Sequence, residues 1–174
     1  MDTRTNLIAS SERQFYEHGF MATGMDALAR AAGMSSRTLY KHAGSKTDLI
    51  VAVLDARDRR FFEQVDRVEV QALFDALARW IDEEGARGCL FLRVLGETGG
   101  AQPAIAAAVL RHKDKLRLCV ADMVRAETGR ADALLAARIV LLFEGAVAAS
   151  AYQGQDAVRT AAAAARRLIE EGAP

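Results

Sequence analysis

The chain has 174 residues, of which 51% are hydrophobic and 26% are charged, and its formal net charge is zero. This length suits one compact domain, or a small module joined to a larger one. A zero net charge excludes a chain that is basic throughout, but a small basic face can be balanced by acidic surface elsewhere. There is no sustained alternation of apolar and polar residues and no hairpin turn between β-branched runs, so we predict an all-α fold.

The first quarter of the chain shows three short helical segments. We predict helices over about Thr3 to His18, over Met25 to Ala32 and over about Ser36 to His42. Gly33 separates the second from the third and permits the positive φ that a tight turn requires. Ser45 is the candidate N-cap of a fourth helix.

The remaining residues form a second helical body, in which residues 46–65 make a connecting helix. Within that helix we interpret the charged run Arg57–Arg60 as a solvated face. Five further helices are indicated by apolar stripes, by glycine breaks and by a proline suited to a first helical turn. They cover about 70–81, 88–97, 103–127, 132–152 and 156–171. The prediction is therefore about nine helices, with a domain boundary near residue 45.

Several features bear on compartment and on covalent chemistry. Cys89 and Cys119 lie far apart and lack C-x-x-C spacing, so we expect buried apolar thiols, with a redox role as the less favoured alternative. The apolar stretch 133–151 is interrupted by Arg138 and Glu144, which indicates a buried helix rather than a membrane span. A polar opening segment with no apolar core after it predicts no signal peptide and a cytoplasmic protein.

Two short helices around the Gly33 turn are typical of a helix-turn-helix. The third helix is dense in hydrogen-bonding groups that can reach phosphates or base edges in a major groove. Lys46 adds a positive side chain at the N-terminus of the next helix, where backbone amides also attract phosphate. We therefore predict a DNA-binding surface that includes Ser35, Ser36, Arg37, Thr38, Tyr40, Lys41, His42 and Lys46.

The same segment resembles the TetR family of bacterial transcriptional regulators. The resemblance covers the first quarter of the chain closely, and the rest agrees in helix number and order. The matching positions are Phe15, Gly19, Phe20, Thr23, Leu28, Ala29, Ala32, Gly33, Ser35, Thr38, Leu39, Tyr40, His42, Ser45, Lys46 and Leu49. Two positions depart from the family pattern: Ala43 stands where a phenylalanine is common, and Arg37 where a small residue is common.

The resemblance implies a homodimer that binds a palindromic operator, usually represses, and is released when a small molecule binds the C-terminal domain. It also implies phosphate contacts by Tyr40, His42 and Lys46 and by a residue near Thr23. No cofactor or metal is expected. For the effector we predict an apolar or amphipathic molecule, because the candidate lining is aliphatic and aromatic: Phe74, Leu77, Phe91, Leu95, Met123 and Phe143.

The dimer is predicted to form through the last two helices, whose apolar and small residues allow close helix approach. The predicted contacts are Leu134, Leu141, Leu142, Gly145, Ala148, Ala149, Val158, Ala162, Ala165, Leu168 and Ile169. Two alternatives stay open, a helical adaptor and a DNA-binding protein without an effector. An enzyme is disfavoured, because no nucleophile–base pair, phosphate-binding glycine loop or metal cluster is evident.

Overall fold

The computed structural model describes residues 2–66 and 68–172. All regular structure in these residues is α-helical, which confirms the all-α prediction. The nine helices are α1 (Thr3–His18), α2 (Met25–Ala31), α3 (Ser36–Ala43), α4 (Lys46–Glu63), α5 (Val70–Glu84), α6 (Leu90–Thr98), α7 (Pro103–Thr128), α8 (Ala133–Gln153) and α9 (Gln155–Gly172).

The chain divides into two compact units. Unit 1 contains Met1–Arg59 and Leu90–Arg111, and unit 2 contains Arg60–Cys89 and His112–Pro174. Helices α4 and α7 therefore contribute residues to both. The boundary near residue 45 concerns a division of function, and it stays a prediction.

Unit 1 is organised around the first three helices, each of which packs on the other two. Phe15 of α1 stacks on Phe20 with ring centroids 4.8 Å apart, and both rings are fully buried. Leu28 of α2 and Leu39 of α3 complete this small core. The mutual packing of these three helices stabilises α2 and α3, because helices of seven and eight residues are too short to persist alone.

The charged run on α4 differs from its expected solvated state. Arg57 is buried, and its Nη1 lies 2.8 Å from Oε1 of Glu12 in α1. The guanidinium also lies 5.5 Å from the centroid of the Tyr16 ring. The interpretation was wrong for Arg57 because the helical period places this residue on the same face as Val53 and Leu54, which are both buried.

Unit 2 has a larger core built from α5, α8 and α9 with parts of α4 and α7. Four aromatic rings lie at its centre: Phe61 is 5.5 Å from Trp80 and 5.9 Å from Phe143, and Phe74 is 6.0 Å from Phe143 between centroids. Helix α9 packs against both α8 and α5. Helices α8 and α9 are therefore both part of the packed core of unit 2.

Helix α8 is apolar on its solvent side as well as on its core side. Leu134 and Leu141 are 62% and 72% exposed, while Leu135 and Ile139 are buried. The helix is long and apolar enough to cross a membrane by length and composition alone, and 33% of its most apolar window is buried. The expected buried helix is thus only partly buried within one chain. An exposed apolar face of this size needs an explanation.

Candidate nucleic-acid interface

The turn between α2 and α3 has the geometry of a Schellman motif. The amide of Met34 donates to the carbonyl of Ala29, and the amide of Gly33 donates to that of Arg30, both at 3.0 Å. Gly33 has φ +67°, which confirms the positive φ expected from the sequence. The side-chain amide of Asn6 donates to Ala32 O at 3.0 Å and ties the turn to α1. The angle between α2 and α3 is therefore fixed by backbone bonds and by one long-range side-chain bond.

Helix α3 buries a single residue, Leu39, and leaves most of its other side chains to solvent. Ser35 caps it, because its hydroxyl accepts from the amide of Thr38 at 3.1 Å. The hydroxyls of Ser35 and Thr38 are also 2.9 Å apart, and Ser36 donates to Asp26 Oδ1 at 2.9 Å. Three of the predicted DNA contacts thus have hydroxyls that already take part in hydrogen bonds within the protein.

Three other side chains of α3 supply further exposed polar groups. Arg37, Tyr40 and Lys41 are exposed and make no side-chain hydrogen bond with the part of the chain that the structure describes. Tyr40 and Lys41 lie about one turn after Arg37 in this short helix. This arrangement presents two positive charges and one phenol hydroxyl to an approaching polyanion.

Two predicted contacts lie differently from their neighbours. Thr23 is 3% exposed, and its hydroxyl donates to Gly19 O at 2.6 Å, so its side chain serves the turn after α1. His42 is half-buried, and its carbonyl accepts from Nη1 of Arg4 at 3.0 Å. Arg4 adds a third exposed cation near the end of α3, a position that the sequence analysis did not include.

The N-terminus of α4 is closed by a reciprocal cap. The hydroxyl of Ser45 accepts from the amide of Asp48 at 3.1 Å, and Asp48 Oδ2 accepts from the amide of Ser45 at 3.0 Å. The hydrogen bonds from Ser45 lower the pKa of Asp48. Lys46 lies beside this cap, with its ammonium 3.3 Å from Met21 O. Burial lowers the pKa of Lys46, although the nearby charge of Glu97 raises it. Some of the amides expected to attract phosphate are therefore already used.

The residues predicted to line an effector pocket are mostly core residues. Phe74, Leu77, Met123 and Phe143 are buried in unit 2, whereas Phe91 and Leu95 belong to α6 in unit 1. Unit 2 also contains a cleft of about 230 Å³. Its lining is Val70, Gln71, Phe74, Glu127, Ala162, Arg166, Ile169 and Glu170, so Phe74 is shared with the predicted set. The assignment of an effector pocket stays a prediction.

The predicted dimer contacts fall into two groups. A first group is exposed or partly exposed and comprises Leu134, Leu141, Leu142, Gly145, Ala148, Ala149, Ala162 and Leu168. Val158, Ala165 and Ile169 are instead buried against the rest of unit 2. The exposed group is centred on α8, and the dimer surface stays a prediction.

The two cysteines also differ. Cys119 is buried, as expected, but Cys89 is half-buried and its sulfur lies 3.4 Å from the ammonium of Lys113. Lys113 in turn lies 2.6 Å from Glu144 Oε1.

Comparison with known proteins places these features in a family. The model named "Bacterial regulatory proteins, tetR family" matches residues 7–53, which contain the helix-turn-helix. The chain is 27% identical over 141 residues to the transcriptional activator FasR of Mycolicibacterium smegmatis, covering 74% of this chain and 61% of that protein. It is 29% identical over 116 residues to the transcriptional regulator UidR of Escherichia coli, covering 64% and 58%. The chain thus spans about three fifths of the length of these relatives.

Solved structures agree over nearly the whole chain. The TetR-family regulator SCO4454 of Streptomyces coelicolor superimposes with a TM-score of 0.86 at 27% identity, covering 99% of this chain and 96% of that one. A regulator of Streptomyces avermitilis has the same fold, with a TM-score of 0.82 at 23% identity, covering 99% and 98%. Residues 7–53 thus match the helix-turn-helix domain of the TetR family of bacterial regulatory proteins, and the chain as a whole has the fold of a TetR-family transcriptional regulator.

Proposed function

We propose that the chain is a homodimeric, cytoplasmic repressor that binds a palindromic operator and leaves it when a small apolar or amphipathic effector binds. The observation that carries the DNA-binding part is the surface of α3, which buries Leu39 and leaves the polar side chains of Ser36, Arg37, Tyr40 and Lys41 exposed. In this proposal residues 1–45 bind DNA and residues 46–174 dimerise and bind the effector.

Contacts to the operator divide by chemistry. Arg37 lies in the first turn of α3, the part of a recognition helix that meets base edges, and its planar fork matches the two acceptors of a guanine. Tyr40, Lys41 and Lys46 serve phosphates, which position the protein without reading sequence. The bonded hydroxyls of Ser35, Ser36 and Thr38 retain acceptor capacity and act as shorter-range contacts.

Dimerisation follows from the solvent side of α8. Leu134, Leu141, Gly145 and Ala148 repeat at helical spacing on that side and are all exposed in the single chain. Two copies of α8 and α9 around a two-fold axis would cover this face. A two-fold dimer presents two copies of α3, which is why the operator is expected to be an inverted repeat.

A second candidate, a DNA-binding regulator without an effector, is favoured by one observation. Phe74 and Met123 are no more than 1% exposed, and the cleft of about 230 Å³ lies below the usual range of ligand pockets, roughly 300–1,000 Å³. Effector binding in this cleft therefore requires the cleft to enlarge. The direction of control is a separate matter, since the relative FasR is named an activator.

The proposal is tested by selecting duplexes from a randomised DNA pool with the wild-type chain. We expect enriched inverted repeats whose half-sites are about one helical turn apart, bound at roughly 10 nM or tighter. The double variant Arg37→Ala, Lys41→Ala should lose this binding. The matched control Arg117→Ala, Arg125→Ala removes the same charge from exposed positions of α7 in unit 2 and should retain it. No enrichment, or equal loss in both variants, would refute sequence-specific binding through α3.

Repression and release are tested on the same duplex placed over a promoter. Transcription in a purified system should fall when the chain is added and recover with an apolar effector. A rise on adding the chain would make it an activator, and no response to any apolar compound would favour the effector-independent regulator.

A further inference from the structure

The carboxylate of Glu97, in α6, binds the backbone of the bend that follows α1. Oε2 of Glu97 accepts from the amide of Phe20 at 2.7 Å and from the amide of Met21 at 2.9 Å. Both residues lie 76 or more positions away in the sequence. Two amides that converge on one carboxylate oxygen form charge-assisted hydrogen bonds, which are about twice as strong as bonds between neutral groups.

Arg93, one turn earlier in α6, binds both Glu97 and the end of α1. Its Nε donates to Glu97 Oε1 at 2.9 Å, and its Nη1 donates to the carbonyl of Tyr16 at 2.8 Å. Tyr16 lies in the last turn of α1, where carbonyls have no partner within the helix. The Arg93–Glu97 pair therefore satisfies backbone groups on both sides of the same bend, an acceptor before it and two donors after it.

The bend is shaped to admit this pair. Gly19 ends α1 with φ +89°, and a Cβ at this position would lie 3.1 Å from Glu97 Oε1. Only glycine combines this backbone conformation with such a close approach. Burial raises the pKa of Glu97, but hydrogen bonds from Met21, Arg93 and Phe20 outweigh it and hold the pKa below its ordinary value. The carboxylate is therefore charged at neutral pH.

The same bend holds residues that belong to the DNA-binding surface. The carbonyl of Met21, whose amide Glu97 binds, accepts from the ammonium of Lys46 at 3.3 Å. The hydroxyl of Thr23 donates back to Gly19 O at 2.6 Å. Glu97 thus binds the amide of the same residue whose carbonyl binds Lys46, although Glu97 belongs to neither α2 nor α3.

We propose that Glu97 is a positioning residue for DNA binding, which fixes the bend after α1 and, through Met21, the place of the Lys46 ammonium. The inference rests on the proposed operator binding and adds to it a residue outside the helix-turn-helix. For removal of the Glu97 charge, this role predicts a change in DNA affinity opposite in sign to the change that simple electrostatics predicts. A carboxylate near a phosphate-binding surface repels DNA, so removing its charge should strengthen binding, whereas loss of positioning should weaken it.

The experiment compares Glu97→Gln with Glu17→Gln on the duplex enriched by the wild-type chain and on a scrambled duplex. Both variants remove one negative charge from unit 1, but Glu17 is a half-exposed residue at the end of α1 whose side chain, within the described residues, pairs with that of the neighbouring His18. We expect Glu97→Gln to weaken binding to the enriched duplex about tenfold, the order that weakening charge-assisted bonds produces. Scrambled DNA should lose less, and Glu17→Gln should bind as tightly as wild type or slightly more tightly.

A second measurement does not involve DNA. Amide hydrogen exchange at Phe20 and Met21 should accelerate in Glu97→Gln and not in Glu17→Gln, while the thermal midpoint of unit 1 changes little. Arg93→Gln keeps the two bonds from the backbone to Glu97 and should show a smaller loss of affinity, which also serves if Glu97→Gln does not fold.

Three results would overturn the inference. The first is that Glu97→Gln binds the enriched duplex as tightly as wild type, or more tightly. This would show that the charge of Glu97, rather than its positioning of the bend, dominates its effect on DNA affinity. Unchanged amide hydrogen exchange at Phe20 and Met21 in Glu97→Gln would show that the Glu97 carboxylate does not fix the bend. If no duplex is enriched by the wild-type chain, the proposed function fails, and the positioning role fails with it.

Discussion

The buried ion pair between Glu12 and Arg57 gives the sharpest stability prediction. The two side chains are only 9% and 8% exposed, and Oε1 and Nη1 are 2.8 Å apart. Glu12→Leu leaves a buried guanidinium without the carboxylate that faces it. Removing one partner of such a pair costs about 3–5 kcal/mol of unfolding free energy, because the remaining charge keeps its desolvation penalty and loses its attraction.

The double variant Glu12→Leu, Arg57→Met separates this penalty from the net contribution of the pair. With both charges replaced by apolar groups of similar length, the cost should fall to about 1 kcal/mol or less, as for other buried pairs replaced by apolar residues. Contact with the Tyr16 ring, 5.5 Å from the guanidinium in the wild-type chain, is retained in part by the methionine.

Urea denaturation followed by circular dichroism measures Glu12→Leu, the second single variant Arg57→Met and the double variant. Each single variant should also lower the thermal midpoint by on the order of 10 °C, since 1 kcal/mol corresponds to roughly 2–4 °C for a chain of this size. Asp122→Asn, which breaks an exposed pair with Arg125 whose side chains are 69% and 66% exposed, is the control and should cost about 0–1 kcal/mol. If Glu12→Leu costs no more than this control, or the double variant costs the sum of the singles, the argument from burial is refuted.

Three further predictions concern DNA, assembly and effector. Lys46→Ala should weaken enriched and scrambled duplexes alike and reduce the salt slope by about one, whereas Arg37→Ala should cost about 1–3 kcal/mol on the enriched duplex only, both measured in a salt series. Equal losses on both duplexes would make Arg37 a phosphate contact. Gly145→Arg should yield monomers by light scattering, and a single-chain mass for the wild type would contradict the α8 dimer. In a thermal-shift screen apolar or aromatic compounds should raise the midpoint, and stabilisation by nucleotides alone would contradict the expected pocket chemistry.

Local patterns predicted the fold well because each helix is bounded by a local signal. Gly33 ends α2 with φ +67°, Ser35 caps α3, and Asp132 accepts from the amide of Leu135 at 2.9 Å at the start of α8. Each signal acts within four residues of the helix end, so the sequence contains all that is needed. The helix-turn-helix could be placed for the same reason.

Long-range side-chain contacts were not predictable in the same way. The spacing of Arg93 and Glu97 is typical of an ordinary pair on one helix face, and nothing local indicates that their partners are Tyr16, Phe20 and Met21. Burial of Arg57, in contrast, has a local signal, because its position continues the apolar stripe of α4. A charged residue on a core-facing stripe indicates a buried partner, here Glu12.

Three acidic residues in and beside the helix-turn-helix segment bear on how a chain of zero net charge would select the proposed operator. Asp26 accepts from Ser36 in α3, Asp48 accepts from Ser45 at the start of α4, and Glu97 accepts from two backbone amides after α1, so each carboxylate holds a donor of the DNA-binding unit. Their charges also offset nearby cations, which lowers the counterion release available to any DNA, whatever its sequence. Contacts that depend on geometry, such as a guanidinium hydrogen-bonded to a guanine, lose no binding energy through this charge offset when the segment is rigid. If the chain binds an operator as proposed, the same carboxylates favour operator over random DNA in two ways, by weakening the shared electrostatic attraction and by fixing the segments on which they act.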